Sequence, residues 1–137
     1  MKRVYLDSNV FISWINQEIN GNFRPLFAEA ELFFRKAKEQ GNVLVLPGLF
    51  FQEVERKTYQ NKESVLAYFE TRGIKTEIVQ APENLPLKDF LDKGVHFLDA
   101  FHAAIAIEKN CGCIVTFNVK DFEKIKEKIE IFLPSDF

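Results

Sequence analysis

Cysteine, histidine, methionine and tryptophan are all scarce in this 137-residue chain, with two, two, one and one copies. Cys111 and Cys113 alone, in Cys111-Gly112-Cys113, cannot make a four-ligand zinc cage, and two free thiols fit a reducing cytoplasm. No apolar run approaches the roughly 20 residues needed to span a bilayer. The opening has basic residues but only Val4, Tyr5 and Leu6 as apolar ones before an acid, which is not a secretory signal. There is no P-loop, no glycine-rich dinucleotide fingerprint and no Ser-His-Asp arrangement. Charge of either sign is also in little excess, with a formal net charge of −2 and a pI near 5.7. That gives no strong electrostatic case for free nucleic-acid binding. It does not exclude a nuclease, because a metal ion can supply local positive charge.

What the chain has in quantity is apolar and aromatic surface: 47% hydrophobic residues, including 15 phenylalanines. This predicts one domain, residues 1–137, with a real core. The organising stretch is the first one. Val4-Tyr5-Leu6 is a short β-favouring run, too short for a helix. Val10, Phe11, Trp14 and Ile15 then share a helix face. A buried strand, a sharp turn and a helix are expected, with Asp7 where the strand ends. One reading makes Asp7, Ser8 or Asn9 a helix cap. The other places Asp7 at the carboxyl end of a strand, where ligands bind in open α/β sheets, beside a helix N-terminus that favours negative charge.

The chain continues as alternating helices and strands. A helix over 25–40 starts at Pro25 and stops at Gly41. Its stripe of Leu26, Phe27, Ala30, Phe33, Phe34 and Ala37 reads as core, and its excess of Phe leaves room for a partner groove or dimer seam. Strands follow at 43–46, 77–79, 113–117 and 130–133, with helices at 49–59, 63–71, 87–91, 95–107 and 122–128. The 95–107 segment is apolar around its full circumference and should be buried at the centre of the domain. This alternation predicts a mostly parallel sheet of four to five strands with helices on both faces.

Four acids punctuate that pattern. Asp7, Glu53, Asp99 and Asp121 each fall near a strand end or the start of the next helix. Glu53 is embedded in Phe51-Gln52-Glu53-Val54, unless it is simply an exposed acid like Glu55. Asp99 sits inside the first turn of the apolar helix, where a buried carboxylate needs a partner, a metal or a capping role. In a doubly wound sheet these ends converge on one edge. Carboxylates crowded together repel, and a hard divalent cation makes the crowding tolerable. Oxygen-only ligands suit Mg²⁺ or Mn²⁺ rather than Zn²⁺, and the chemistry that follows is metal-assisted attack of water on a phosphodiester. Asn9, Thr116 and Asn118 are candidates to position substrate or water. His102, three residues after Asp99 on one helix face, either touches Asp99 or the phosphate or is a core or interface histidine. Cys111 and Cys113 read as small core residues.

These residues resemble a known family. Tyr5-Leu6-Asp7-Ser8-Asn9-Val10-Phe11-Ile12, Gln52-Glu53-Val54, Phe97-Leu98-Asp99-Ala100-Phe101-His102-Ala103-Ala104-Ile105-Ala106 and Val115-Thr116-Phe117-Asn118-Val119-Lys120-Asp121-Phe122 together resemble the PIN-domain nucleases, most closely the VapC-type toxins of toxin–antitoxin pairs. The resemblance covers nearly the whole chain. It implies a three-layer α/β/α sandwich, Mg²⁺- or Mn²⁺-dependent endoribonuclease activity, a homodimer, and inhibition by an antitoxin whose tail lies in a groove. Carried over, it makes Asp7, Glu53 and Asp99 the first three metal-site acids. The fourth stays open between the position of Asn118 and Asp121. An aliphatic residue often stands in the family where His102 stands here.

Competing readings fit less well. A receiver-type signalling module needs an acid at the end of the third strand, where Val79-Gln80-Ala81 has none. A haloacid-dehalogenase-type phosphatase needs a second Asp two residues after the first, and Asn9 cannot act as a general acid at neutral pH. A housekeeping RNA-processing nuclease and a non-catalytic RNA- or protein-binding module on the same fold remain the alternatives. Phe27, Phe33 and Phe34 are the candidate partner surface.

Overall fold

Five short apolar runs bounded by polar turns form the strands: β1 (Arg3–Leu6), β2 (Val43–Pro47), β3 (Lys75–Val79), β4 (Cys113–Val115) and β5 (Glu130–Phe132). In the computed structural model, which describes residues 2–137, they make one sheet in the order β3-β2-β1-β4-β5, and every neighbouring pair is parallel. Parallel neighbours require crossovers. These are supplied by α1 (Ser8–Ile15), α2 (Leu26–Gln40), α3 (Gly48–Thr58), α4 (Lys62–Thr71), α5 (Lys88–Asp92), α6 (Phe97–Glu108) and a 3-10 helix at Val119–Ile125. No described helix is long and apolar enough to cross a membrane.

Side chains alternate across β1, and this divides the core in two. Val4 and Leu6 pack with Phe11, Phe33, Phe34, Phe50 and Phe69 from α1 to α4. Tyr5 points the other way and packs with Ala100, Ala103 and Ile105 of α6 and with Phe122. The expected α/β/α layering therefore holds, and all five strands are parallel.

Three details differ from the sequence reading. Phe33 and Phe34, offered above as a partner surface, are only 1% and 2% exposed. Phe34 packs against Trp14 with ring centroids 4.6 Å apart, and Phe33 against Phe137 at 5.3 Å. The core consumes both rings, and Phe27 is half-buried. Second, α6 is not buried along its whole length: Phe97 and Leu98 in its first turn and Ile107 in its last are 59%, 54% and 39% exposed. Third, the segment expected as a helix over 122–128 is a 3-10 helix that starts at Val119. Phe122 and Ile125, its buried residues, are three apart, the spacing that a 3-10 helix aligns on one side.

Candidate active site

The strand order reverses at β1, which lies between β2 and β4. The crevice outside the carboxyl ends of β1 and β4 is the topological switch point, the usual ligand position in such sheets. Asp7 directly follows β1 and Thr116 directly follows β4. Asp7 still has extended backbone angles, so it shares a face with Tyr5 two residues earlier. Its Oδ1 accepts the Asn9 backbone N–H at 3.3 Å, capping α1. Its Oδ2 accepts the Thr116 hydroxyl at 2.8 Å. The two sequence readings of Asp7 are thus not exclusive, since one oxygen caps the helix and the other faces the crevice partner.

Thr116 is the hub of this corner. It is fully buried, and its Oγ1 accepts from Asn9 Nδ2 at 3.2 Å and from the Asn118 backbone N–H at 3.0 Å. Asn9 Oδ1 accepts the Phe117 N–H at 3.2 Å. Asn9 and Thr116 therefore tie α1 to the turn after β4 and fix the Asp7 carboxylate between them. Asn118 is exposed.

The other acids reach the same edge from three more elements. Glu53 lies in the second turn of α3, held by the buried Phe50, Phe51 and Val54. Burial pushes its carboxyl up, the negative charge of Asp7 pushes it further, and the Ser8 hydroxyl and Arg56 oppose. Helix α6 leads into β4, so its N-terminus stands at the carboxyl edge of the sheet, and Asp99 lies in its first turn. Burial raises the Asp99 carboxyl as well, followed by the charges of Asp121 and Asp7. Asp121 is exposed in the first turn of the 3-10 helix. The four acids thus feel one another across one edge.

The acids share this edge without closing into a compact cluster. Among the described residues no three Asp, Glu, His or Cys side chains come together closely enough to hold one ion. The donor set nevertheless fits a hard divalent cation. The four acids offer only carboxylate oxygens, the hard donors that Mg²⁺ and Mn²⁺ take. Mg²⁺ keeps several waters and is usually held by one or two carboxylates together with phosphate, so a preformed cage is not required.

Two side chains in this region escaped the sequence reading. Tyr5 appeared only as part of an apolar strand, but its hydroxyl is within 2.6 Å of His102 Nδ1. The signal was available: a phenol buried in a strand needs a polar partner. Ser8, treated only as a cap, is buried and acts on Glu53. His102 is buried, as a core histidine would be, yet its nearest acid is Glu53 rather than Asp99: its Nε2 is 3.7 Å from Glu53 Oε1. Burial pushes the thiols of Cys111 and Cys113 up to about 11 and about 12, away from the thiolate form.

Comparison with curated proteins finds no match for this chain. Residues 4–128, from β1 through the segment that follows the 3-10 helix, match the family described as PIN domain. Proteins of that family are generally metal-dependent nucleases. The match spans Asp7, Glu53, Asp99 and Asp121, and the chain belongs to the PIN domain family.

Proposed function

We propose that this protein is a Mg²⁺- or Mn²⁺-dependent endoribonuclease of the cytoplasm and the toxin of a toxin–antitoxin pair, acting as a homodimer restrained by its antitoxin. The observation that carries the hydrolytic part is electrostatic. The carboxyls of Glu53 and Asp99 are both raised, and the Asp7 charge contributes to both shifts. A protein that only bound RNA would gain nothing from gathered negative charge at the binding edge. The toxin part is supported by the four motifs quoted above, taken together and in order.

Asp7, Glu53, Asp99 and Asp121 are the residues that would hold the ion, one or two directly and the others through water. When bound, the ion neutralises charge on the phosphate and makes the attacking water easier to deprotonate. The protein's own groups do the rest. Thr116 and Asn9 keep Asp7 fixed, which lowers the reorganisation needed at the moment of reaction. An acid that reaches the ion only through water is placed to take the proton of the attacking water. The water oxygen bonds to phosphorus, the bond from phosphorus to the leaving sugar oxygen breaks, and that oxygen takes a proton from solvent.

The test is cleavage of a single-stranded RNA oligonucleotide by purified protein. Cleavage should appear with Mg²⁺ or Mn²⁺ and stop with a chelator. Activity that survives complete chelation overturns the metal mechanism. Induced expression in a bacterium should arrest growth, and a small adjacent reading frame, co-expressed, should relieve it. Cleavage without growth arrest would instead mark a housekeeping processing nuclease.

A further inference from the structure

Tyr5 and His102 are 97 residues apart in the chain and are joined by a buried contact of 2.6 Å between Tyr5 Oη and His102 Nδ1. Tyr5 reaches His102 because β1 alternation points it into the α6 layer. A buried phenol needs a polar partner, and His102 Nδ1 is the group within reach of Oη, which donates to it when Nδ1 is unprotonated. A neutral imidazole that accepts at Nδ1 carries its one proton on Nε2.

Nε2 is the ring nitrogen beside Glu53. Nε2 is 3.7 Å from Glu53 Oε1, and Oε1 is the one buried side-chain oxygen or nitrogen among the described residues that has no hydrogen-bond partner. A buried donor and a buried orphan acceptor so placed need approach by only about 0.5–1 Å to make an ordinary bond. An unmet buried acceptor is costly, so closure of this gap is favoured.

We propose that Tyr5 and His102 are positioning residues for Glu53. Tyr5 fixes the His102 tautomer, and the Nε2–H then holds Oε1, leaving Oε2 as the oxygen that serves the metal or the attacking water. This rests on the nuclease reading of Glu53.

The first test needs no variant. NMR of ¹⁵N-histidine-labelled protein should show one His102 tautomer, with Nδ1 unprotonated and Nε2 protonated. The opposite tautomer, or a mixture, overturns the relay. The second test is calorimetric titration with Mn²⁺ alone. His102→Gln keeps an N–H near the Nε2 position, whereas His102→Asn keeps a polar group only near Nδ1. Mn²⁺ affinity should fall about 10-fold in His102→Asn and in Tyr5→Phe, the scale seen when an outer partner of a metal ligand is lost, and should recover towards wild type in His102→Gln. Equal affinities for His102→Asn and wild type, or equal losses in the Asn and Gln variants, overturn the relay. Asp7→Asn and Glu53→Gln separate the two levels. If both bind Mn²⁺ like wild type, the nuclease reading fails and the relay with it. If they lose Mn²⁺ while His102→Asn does not, the relay alone fails.

Discussion

The Thr116 hydroxyl donates to Asp7 Oδ2 at 2.8 Å across the paired ends of β1 and β4. Thr116 Oγ1 in turn accepts two hydrogen bonds, from Asn9 Nδ2 and the Asn118 N–H. Thr116→Val keeps the shape and removes all three. The Asn9 amide and Asn118 N–H then lose their partner at a buried corner, at a cost of about 1–3 kcal/mol. RNA cleavage should fall by about 10- to 100-fold, as when a ligand's supporting hydrogen bond is lost. Thr116→Ser should retain most of both. Chemical denaturation and an oligonucleotide cleavage assay on the two variants check this.

Asp7→Asn separates the two uses of one side chain. Oδ1 caps α1, and Asn caps about as well as Asp, so the fold should persist. The charge at the crevice is lost, and with it a source of repulsion for Glu53 and Asp99. Cleavage should drop by more than about 100-fold while the melting temperature without added metal holds or rises. An Asp7→Asn protein that cleaves like wild type would sink the assignment of Asp7 to the site.

The pH dependence of stability has a defined sign. Glu53 and Asp99 are both raised in the folded chain. Between the ordinary values, about 4.3 for Glu and about 3.9 for Asp, and the raised ones, the folded state binds more protons than the unfolded state. Stability from these two groups therefore falls as pH rises through that window. Asp99→Asn should raise the melting temperature at pH 7, and the gain should shrink as pH is lowered through the window. A gain that is constant across pH 3 to 8 would show that the charge of Asp99 is not what is relieved.

Periodicity and turn chemistry made most of the fold legible. The strands, α2 from Pro25 to its left-handed stop at Gly41 (φ 66°), and the four acids near strand ends all follow from local pattern. What was not legible depends on distance in the chain or on how far an element overhangs its neighbours. No spacing rule joins Tyr5 to His102, or Asn9 to Thr116, because those pairs form only when the sheet brings β1, α6 and β4 together. The amphipathic stripe of α2 identified a buried face but could not tell a protein's own core from a partner's, and Phe33 and Phe34 turned out to be core. The apolar circumference of α6 predicted full burial, yet composition carries no information on where the covering layer ends, and Phe97 and Leu98 lie beyond it.

The last prediction concerns the fourth acidic position. Resemblance leaves it open between Asn118 and Asp121, and both side chains are exposed. Asp121 is the one whose charge acts on Asp99, more strongly than Asp7 does. A group that raises Asp99 by repulsion also strengthens the attraction of both for a shared cation. Asp121→Asn should therefore weaken Mn²⁺ binding, whereas Asn118→Ala should leave it nearly unchanged. Ligand binding to the folded state adds about 2.7 kcal/mol when the free ion is at 100 times its Kd, and a tenfold weaker Kd removes about 1.4 kcal/mol of that. For a domain of this size the loss is about 4 °C of the metal-induced rise in melting temperature. Thermal melts with and without Mn²⁺ read it directly. Without metal, Asp121→Asn should melt at or above the wild-type temperature, because a repulsive neighbour of Asp99 has gone. If Asn118→Ala instead removes the Mn²⁺-dependent rise and Asp121→Asn does not, the fourth position is Asn118, acting through its amide oxygen, and Asp121 only shapes the field around Asp99.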